Sequence, residues 1–294
     1  MIAQAPPEAV AAAPASAPAL LEAAFLEARV SARRVSDPAS VLASDAPASD
    51  KLAAIDALHS RIPTEPLGSK ISALDALTAA AGGTNQPPEV RAKALTFVGY
   101  AMPQVEDDGA RGRALVVLLA ALKMPAYRIF ALRGFGPACH GLRKADEGLY
   151  QGGLLDLLDG PVAGEERETA LVALFSFVST REDLSKREPA LVAALDARLL
   201  GPIEADPARF ASDPRFTPGA RAMAIATVWM SARHRQALGQ TAVAARVHVL
   251  LVRLASVETD PTVLGWIATY RDAAPARPLR ASTTKRAPAG PDEP

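Results

Sequence analysis

Cysteine is nearly absent from this sequence, whose only cysteine is Cys139. A single thiol cannot form an internal disulfide, and it cannot supply the several thiolates of a structural zinc cluster. Histidine is also scarce, and the 4 histidines lack the His-Glu-x-x-His spacing that places two metal ligands on one helix face. We therefore predict no metal site and no cofactor.

Aromatic residues and net charge are low as well. Phe, Trp and Tyr make up 5% of the chain, and 32 basic residues balance 32 acidic ones. Because β-sandwiches are rich in aromatic and β-branched residues, this alanine-rich composition favours packed helices. A neutral chain has no overall field to hold it on nucleic acid. We therefore expect a protein or peptide partner, bound by a local patch, rather than nucleic acid.

Long hydrophobic runs are missing too. The longest, Ala114 to Leu122, is far shorter than the roughly 20 residues that cross a bilayer, so no membrane span is expected. The first residues also lack the basic and apolar regions of an export signal. Cytoplasm is therefore the default location, with export as the alternative if a longer natural precursor carries a signal peptide upstream of the Ala3-Gln4-Ala5 run.

Proline is abundant at both ends of the chain. Residues 1–19 are rich in alanine and proline and residues 275–294 are rich in proline, which excludes a long helix in either segment. Both are predicted to be disordered tails. Apolar residues at helical spacing from Leu20 predict a capping helix followed by a linker, together covering residues 20–48.

One short pattern recurs between these ends: a basic residue, two variable residues, alanine, and then leucine or isoleucine. The basic residues of the copies are Lys51, Lys70, Arg91, Arg111, Arg128, Arg167, Arg187, Arg221 and, in a looser copy, Arg246. Most copies are about 20 residues apart, the length of one helix and a turn, so two copies make a unit of about 40 residues. The longer step from Arg128 to Arg167 predicts a degenerate copy near Gln151 to Leu155.

Start and stop signals accompany the pattern. Pro87-Pro88, Thr217-Pro218 and Asp260-Pro261 place a capping residue or a first-turn proline where helices are expected to begin. Gly82-Gly83, Gly160 and Gly201 stand where helices are expected to stop. The sequence therefore predicts an all-α chain.

The segment from Glu89 to Gly99 resembles a helix of a HEAT repeat, in which a valine-arginine pair precedes an alanine-leucine core and a glycine follows. This resemblance implies a right-handed α-solenoid of about five to six helical hairpins over residues 49–274, with one concave layer of helices. It implies no particular activity, because such folds serve as adaptors, transport receptors, chaperones and occasional enzymes. The HEAT-like metal hydroxylases are excluded, because they need repeated His-Glu dipeptides and this chain has none.

A basic segment lies between Asp108 and Asp146, where no acidic residue occurs. With its interleaved aromatic residues it could orient a partner of opposite charge. The candidate binding residues are Arg111, Arg113, Tyr127, Arg128, Arg133, His140, Arg143 and Lys144. The alternative is that these charges are solvated or bridge neighbouring repeats. The helix dipole disfavours a basic residue at a helix start, which suggests that the recurring one has a carboxylate partner on the next repeat.

No catalytic motif is present. Cys139 and His140 are neighbours, but side chains of adjacent residues on a helix point about 100° apart, so a packed cysteine beside a surface histidine is expected. Gly134 to Gly136 and Gly152-Gly153 lack the ending of a phosphate loop and indicate turns or close helix crossings. We therefore expect a non-enzymatic scaffold that binds a protein or peptide on its concave face.

Two alternatives stay open at this point. Some HEAT-like proteins resemble alkyl-purine DNA glycosylases, and Trp229, Trp266 and Asp260 are the candidates for such a nucleic-acid-binding or repair activity. The other alternative is a structural subunit of a larger assembly. A lyase related to HEAT-like bilin-attachment proteins has no supporting residue.

Overall fold

The structure is a computed structural model that describes residues 37–273. These residues form helix after helix and contain no strand, which confirms the predicted all-α class. Within them, no helix is both long and apolar enough to cross a membrane. The predicted tails and most of the predicted capping segment lie outside the described residues.

The chain divides into two compact units, Met1–Phe177 and Val178–Pro294, which we call the N-terminal and C-terminal units. In the N-terminal unit, part of the predicted linker is helical, because Asp37 caps a short helix that begins at Pro38. The helices of the N-terminal unit are α1 (Pro38–Ala43), α2 (Ala48–Arg61), α3 (Leu67–Gly82), α4 (Pro88–Ala101), α5 (Asp108–Leu122), α6 (Arg128–Ala138), α7 (Glu147–Asp159) and α8 (Gly164–Ser179), the last ending just past the boundary.

The predicted period matches these helices. The recurring basic residue is the fourth residue of α2, α3, α4, α5 and α8, and the first of α6. Helix α7 contains Gln151 to Leu155, so the predicted degenerate copy is indeed a helix. The predicted ends at Gly82-Gly83 and Gly160 are also confirmed, since α3 ends at Gly82 and Gly160 follows α7 directly.

From α1 to α6, neighbouring helices of the N-terminal unit contact each other, and helices also contact the second helix along the chain. The contacts between alternate helices join α2 to α4 and α4 to α6 in one row, and α1, α3, α5 and α7 in a second row. The alanine-leucine pairs of the recurring pattern are buried between the rows. In this unit, alternate helices therefore pack against one another, and the alanine-leucine pairs belong to its apolar core.

Two glycines allow α4 and α6 to cross closely. A Cβ atom on Gly99 would lie 2.5 Å from the Cα atom of Gly134 and closer still to its carbonyl group. A Cβ atom on Gly134 would lie 2.7 Å from the carbonyl oxygen of Leu95. The helix crossing predicted for Gly134 is confirmed, whereas Gly136 and Gly152 have no atom within 4 Å of an added Cβ.

The C-terminal unit begins with short and irregular helices. Its elements are α9 (Leu184–Arg187), α10 (Pro189–Leu195), a π-helical turn (Asp196–Leu200), α11 (Gly201–Ala205), α12 (Pro207–Ser212), α13 (Pro218–Ala237), α14 (Thr241–Ala255) and α15 (Pro261–Arg271). Helices α13, α14 and α15 pack against one another. The predicted starts at Pro218 and Pro261 are confirmed.

Two predictions fail in this unit. The copy from Arg187 to Leu191 does not open one helix, because α9 ends at Arg187 and Glu188 has a φ of -134° before Pro189. A residue that precedes proline is disfavoured in the α-helical conformation, which explains the break. Gly201 does not stop a helix either: its φ and ψ are -57° and -49°, and the π-helical turn continues into α11.

Candidate functional site

The structure pairs four of the five arginines among the eight candidate binding residues with carboxylates. Arg113 donates hydrogen bonds to Asp75 at 2.8 and 3.0 Å, and Arg143 binds Asp146 with distances of 2.5 and 2.7 Å. The hydrogen bonds that Arg143 donates to Asp146 raise the pKa of Arg143 above its ordinary value. These guanidinium groups are therefore already neutralised within the chain.

Two more of the arginines bind the start of α8. Arg128 donates to Glu166 at 3.0 Å, and Arg133 donates to Glu165 at 2.8 Å. These acids lie in the segment from Asp146 to Glu188, which follows the basic segment and is rich in aspartate and glutamate. Reversing the arginine charges would place like charges at these contacts and disturb the fold, so a charge-reversal test would not isolate a binding role.

The remaining candidates differ in their contacts and in their exposure. Tyr127 lies under the guanidinium of Arg91, whose Cζ atom is 4.4 Å from the ring centroid. His140 and Lys144 are exposed, and the Nε atom of Arg111 is buried with no hydrogen-bond partner among residues 37–273.

The recurring basic residues instead connect helices. Arg128 and Arg221 each bind a carboxylate on or just before the helix two further along, Glu166 and Glu258, at 3.0 and 2.8 Å. Lys51 makes the equivalent contact with the amide of Gln86 at 2.9 Å. The predicted carboxylate partner is confirmed for Arg128 and Arg221, which assigns both residues a structural role.

Three of the recurring arginines also bind backbone carbonyl groups that precede their helices. Arg128 donates to Leu122, Arg167 to Val162 and Arg221 to Phe216, at 2.9, 2.9 and 3.1 Å. A guanidinium has five N–H donors, so it can satisfy a carbonyl group at the end of one segment and a side chain further along. These contacts explain why a basic residue stands in a helical first turn against the dipole.

An apolar groove lies on the surface of α3, α5 and α7. It consists of two adjoining cavities of about 920 and 510 Å³ that share Leu119 and Leu149. Val116 is 62% exposed and Leu149 is 59% exposed, both unusually high for large apolar side chains that face a groove. We call this surface the α5 groove.

Glycines keep the α5 groove open. The lining includes Gly82 of α3, Gly109 and Gly112 of α5, and Gly148, Gly152 and Gly153 of α7. Because glycine has no side chain, another backbone can approach these positions closely. Small residues beside exposed apolar ones are typical of surfaces that accept a helix or an extended segment.

Ion pairs border the groove. Arg113, Arg143 and Arg128 line it, and each is bound to a carboxylate as described above. Lys123, at the end of α5, also lines it and is exposed, with no carboxylate partner among residues 37–273. The arrangement is an apolar floor bordered by ion pairs, with Lys123 at one end and the carboxylates of Asp108 and Asp156 also in the lining.

The tryptophans of the glycosylase alternative lie in the C-terminal unit. Trp229 stacks on Tyr270 with ring centroids 4.6 Å apart, and Trp266 lies 5.5 Å from the same ring. Asp260 caps α15: its Oδ1 atom accepts hydrogen bonds from the backbone N–H groups of Thr262 and Val263 at 2.9 and 3.2 Å. Its carboxylate is thus held by a helix terminus.

We expect the substitution Asp260→Ala to lower the stability of the C-terminal unit by about 1 kcal/mol, the ordinary effect of removing a helix cap. Asp260→Ser should stay close to the native stability, because a serine hydroxyl can accept the same bonds. Trp229 and Trp266 both lie in this unit, so urea unfolding followed by tryptophan fluorescence measures it. Equal losses for the two variants would contradict the capping role.

Cys139 and His140 are neighbours in sequence but differ in exposure. Cys139 is buried, whereas His140 is exposed, as expected for a packed cysteine beside a surface histidine. Among residues 37–273, no group of three or more His, Cys, Asp or Glu residues could hold a metal ion.

Comparison with known proteins found no match: no protein-family model, no curated protein and no solved structure is similar to this chain at a significant level. A functional interpretation of this chain therefore has to be built on the geometry of its own surfaces, among them the α5 groove.

Proposed function

We propose that this chain is a non-enzymatic helical-repeat protein that binds a helical segment of a partner protein in the α5 groove. The observation that carries this proposal is the exposure of Val116 and Leu149 beside glycines of three successive helices of one row. Contiguous exposed apolar surface is costly in water and commonly marks a protein-binding site.

A right-handed α-solenoid of HEAT-like type is the architecture that we propose for the chain. Support comes from the contacts between alternate helices and from side-chain pairs at a regular sequence separation. Lys93 binds Asp56, Arg113 binds Asp75 and Arg235 binds Asp196 across 37, 38 and 39 residues. A constant separation of this size is expected when units of about 40 residues stack.

The proposed occupant is an amphipathic helix whose apolar face covers Val116 and Leu149. A helix is about 10–12 Å across with its side chains, which suits a groove bounded by neighbouring helices. The arginines at the border are neutralised, so they do not select strongly for charge. Lys123 favours an acidic residue near one end of the bound helix, because charge complementarity sets orientation and association rate.

Photo-crosslinking tests this proposal directly. A photoreactive phenylalanine derivative placed at position 116 or 149 should attach to the same protein in cells, because both positions face the groove. The control is position 172, since Val172 is also exposed in the N-terminal unit but belongs to α8 and does not line the groove. Equal crosslinking from position 172 would contradict a specific groove.

The substitution Leu149→Glu should weaken binding of the crosslinked protein, once purified, at least tenfold. Burial of a leucine side chain contributes about 1.5–3 kcal/mol, and each 1.4 kcal/mol changes the dissociation constant about tenfold. Val172→Glu should leave the affinity unchanged, and titration calorimetry measures both. Crosslinks to a second copy of this chain would favour the structural-subunit alternative, and nucleic acid in place of protein would favour the glycosylase-like one.

A further inference from the structure

A second cavity lies in the C-terminal unit, between α13, α14 and α15. Its volume is about 510 Å³, within the range of roughly 300–1,000 Å³ that is usual for small-molecule sites. One wall is aromatic and apolar, formed by Trp229, Tyr270, Val247 and Leu251. Burial raises the pKa of Tyr270 to about 12, so its phenol stays neutral at ordinary pH.

Basic side chains line this cavity. Arg233, His248 and Arg271 line it, and no aspartate or glutamate is among its lining residues. Arg271 is bound to Asp272 with an Nε to Oδ1 distance of 2.8 Å, which neutralises it. Arg233 has no carboxylate partner among residues 37–273.

Arg233 is held at the cavity by an aromatic ring. Its Cζ atom lies 5.0 Å from the ring centroid of Trp229, a cation–π contact. This contact restricts the guanidinium without occupying its N–H donors, which therefore remain available to a ligand. Most other arginines described above use these donors on carboxylates or backbone carbonyl groups, so Arg233 differs from them in kind.

The start of α14 adds to the positive potential. Thr241, its first residue, lines the cavity, while the preceding Gln240 makes no side-chain capping bond and the first turn contains no acidic residue. The N-terminus of a helix carries a partial positive charge that favours an anion. Together with Arg233, it makes the polar side of the cavity suitable for one anionic group.

We propose that this cavity binds a small aromatic anion, such as an aryl carboxylate. The carboxylate accepts hydrogen bonds from Arg233, because a planar guanidinium matches a carboxylate in a bidentate contact. The ring of the ligand packs against the wall formed by Trp229, Tyr270 and Leu251. This site is independent of the α5 groove, which lies in the N-terminal unit.

Equilibrium dialysis with 2-naphthoate tests the site, with 2-naphthalenemethanol as its neutral counterpart. The full chain should bind naphthoate at one saturable site, at least tenfold more tightly than the alcohol, because only the carboxylate engages Arg233. No saturable binding of naphthoate up to millimolar concentration would overturn the proposal. Equal affinities for the two probes would overturn the role of the anionic group.

Variants of single arginines locate the site. Arg233→Met keeps the aliphatic stem and should reduce the affinity for naphthoate at least tenfold while leaving the affinity for the alcohol unchanged. Arg209→Met is the matched control, because Arg209 is also exposed in the C-terminal unit but lies on α12, outside the cavity. Circular dichroism confirms that both variants are folded. Naphthoate binding that survives Arg233→Met, or that is lost in both variants, would overturn the assignment.

Discussion

Replacement of Gly99 by alanine should lower the free energy of unfolding of the N-terminal unit by about 3 kcal/mol or more, at the upper end of what overpacking usually costs. The new methyl group would lie 2.5 Å from the Cα atom of Gly134 and nearer still to its carbonyl group. Both neighbours are backbone atoms, so no side-chain rotation can relieve the clash. Helices α4 and α6 would have to separate, and apolar contacts along the whole crossing would weaken.

Gly152→Ala is the matched control for this substitution. Gly152 lies inside α7 of the same unit, and a Cβ atom there would have no atom within 4 Å. Alanine exceeds glycine in helix propensity by up to about 1 kcal/mol, so this variant should be as stable as the native protein or slightly more so. Hydrogen exchange of peptides from α4 and α6, followed by mass spectrometry, measures the stability of this unit separately. Native protection in Gly99→Ala would show that these helices are not in backbone contact.

Much of the helical organisation could be predicted because each helix must meet the same packing requirement. The alanine-leucine pair is buried in successive helices, and the basic residue stands at the same position of most of them. A repeated environment leaves a repeated residue pattern, and such a pattern is visible without coordinates. The π-helical turn before Gly201 does not belong to a repeated residue pattern. The sequence alone therefore predicts a helix end at this glycine, where the structure continues into α11.

The role of the basic segment could not be read from the segment alone. The absence of acidic residues between Asp108 and Asp146 describes neighbours in sequence, whereas Arg128 and Arg133 meet Glu166 and Glu165 across 38 and 32 residues. A signal for this pairing was nevertheless present. A basic segment followed by an acidic one, about one unit further along, places opposite charges on adjacent helices once the units stack.

The sequence indicates the α5 groove by an apolar run rather than by a charge pattern. The apolar run from Ala114 to Leu122 is too short to cross a membrane. An α-helix has 3.6 residues per turn, so an uninterrupted apolar run of more than two turns covers every face of the helix. One face of α5 must therefore be either covered by another helix or exposed. In the described part of the chain it is exposed at Val116.

Ion pairs that join alternate helices differ greatly in burial, and this difference predicts a second large effect. Lys93 and Asp56 join α4 to α2 at 2.6 Å, with side chains only 4% and 13% exposed. Arg113 and Asp75 join α5 to α3 at 2.8 Å, with side chains 57% and 40% exposed. Both pairs lie in the N-terminal unit and have almost the same sequence separation, so they form a matched comparison.

We expect Asp56→Ala to destabilise the N-terminal unit by about 3–5 kcal/mol, because it leaves the ammonium of Lys93 buried without its carboxylate. The ring of Phe97 lies 5.9 Å from that ammonium, and this cation–π contact is weaker than the ion pair. Asp75→Ala should cost less than about 1 kcal/mol, since water can solvate Arg113 when its partner is removed. Hydrogen exchange of peptides from α2 to α5 measures both variants.

A double substitution separates loss of the ion pair from loss of ordinary packing around Asp56. If the uncompensated charge causes the instability, then Lys93→Met added to Asp56→Ala should restore part of the stability, because it removes the buried ammonium and keeps an apolar stem of similar length. If packing around Asp56 is the cause, the double variant should be less stable than Asp56→Ala alone. Only the first outcome is compatible with a buried ion pair as the contact that holds α2 against α4.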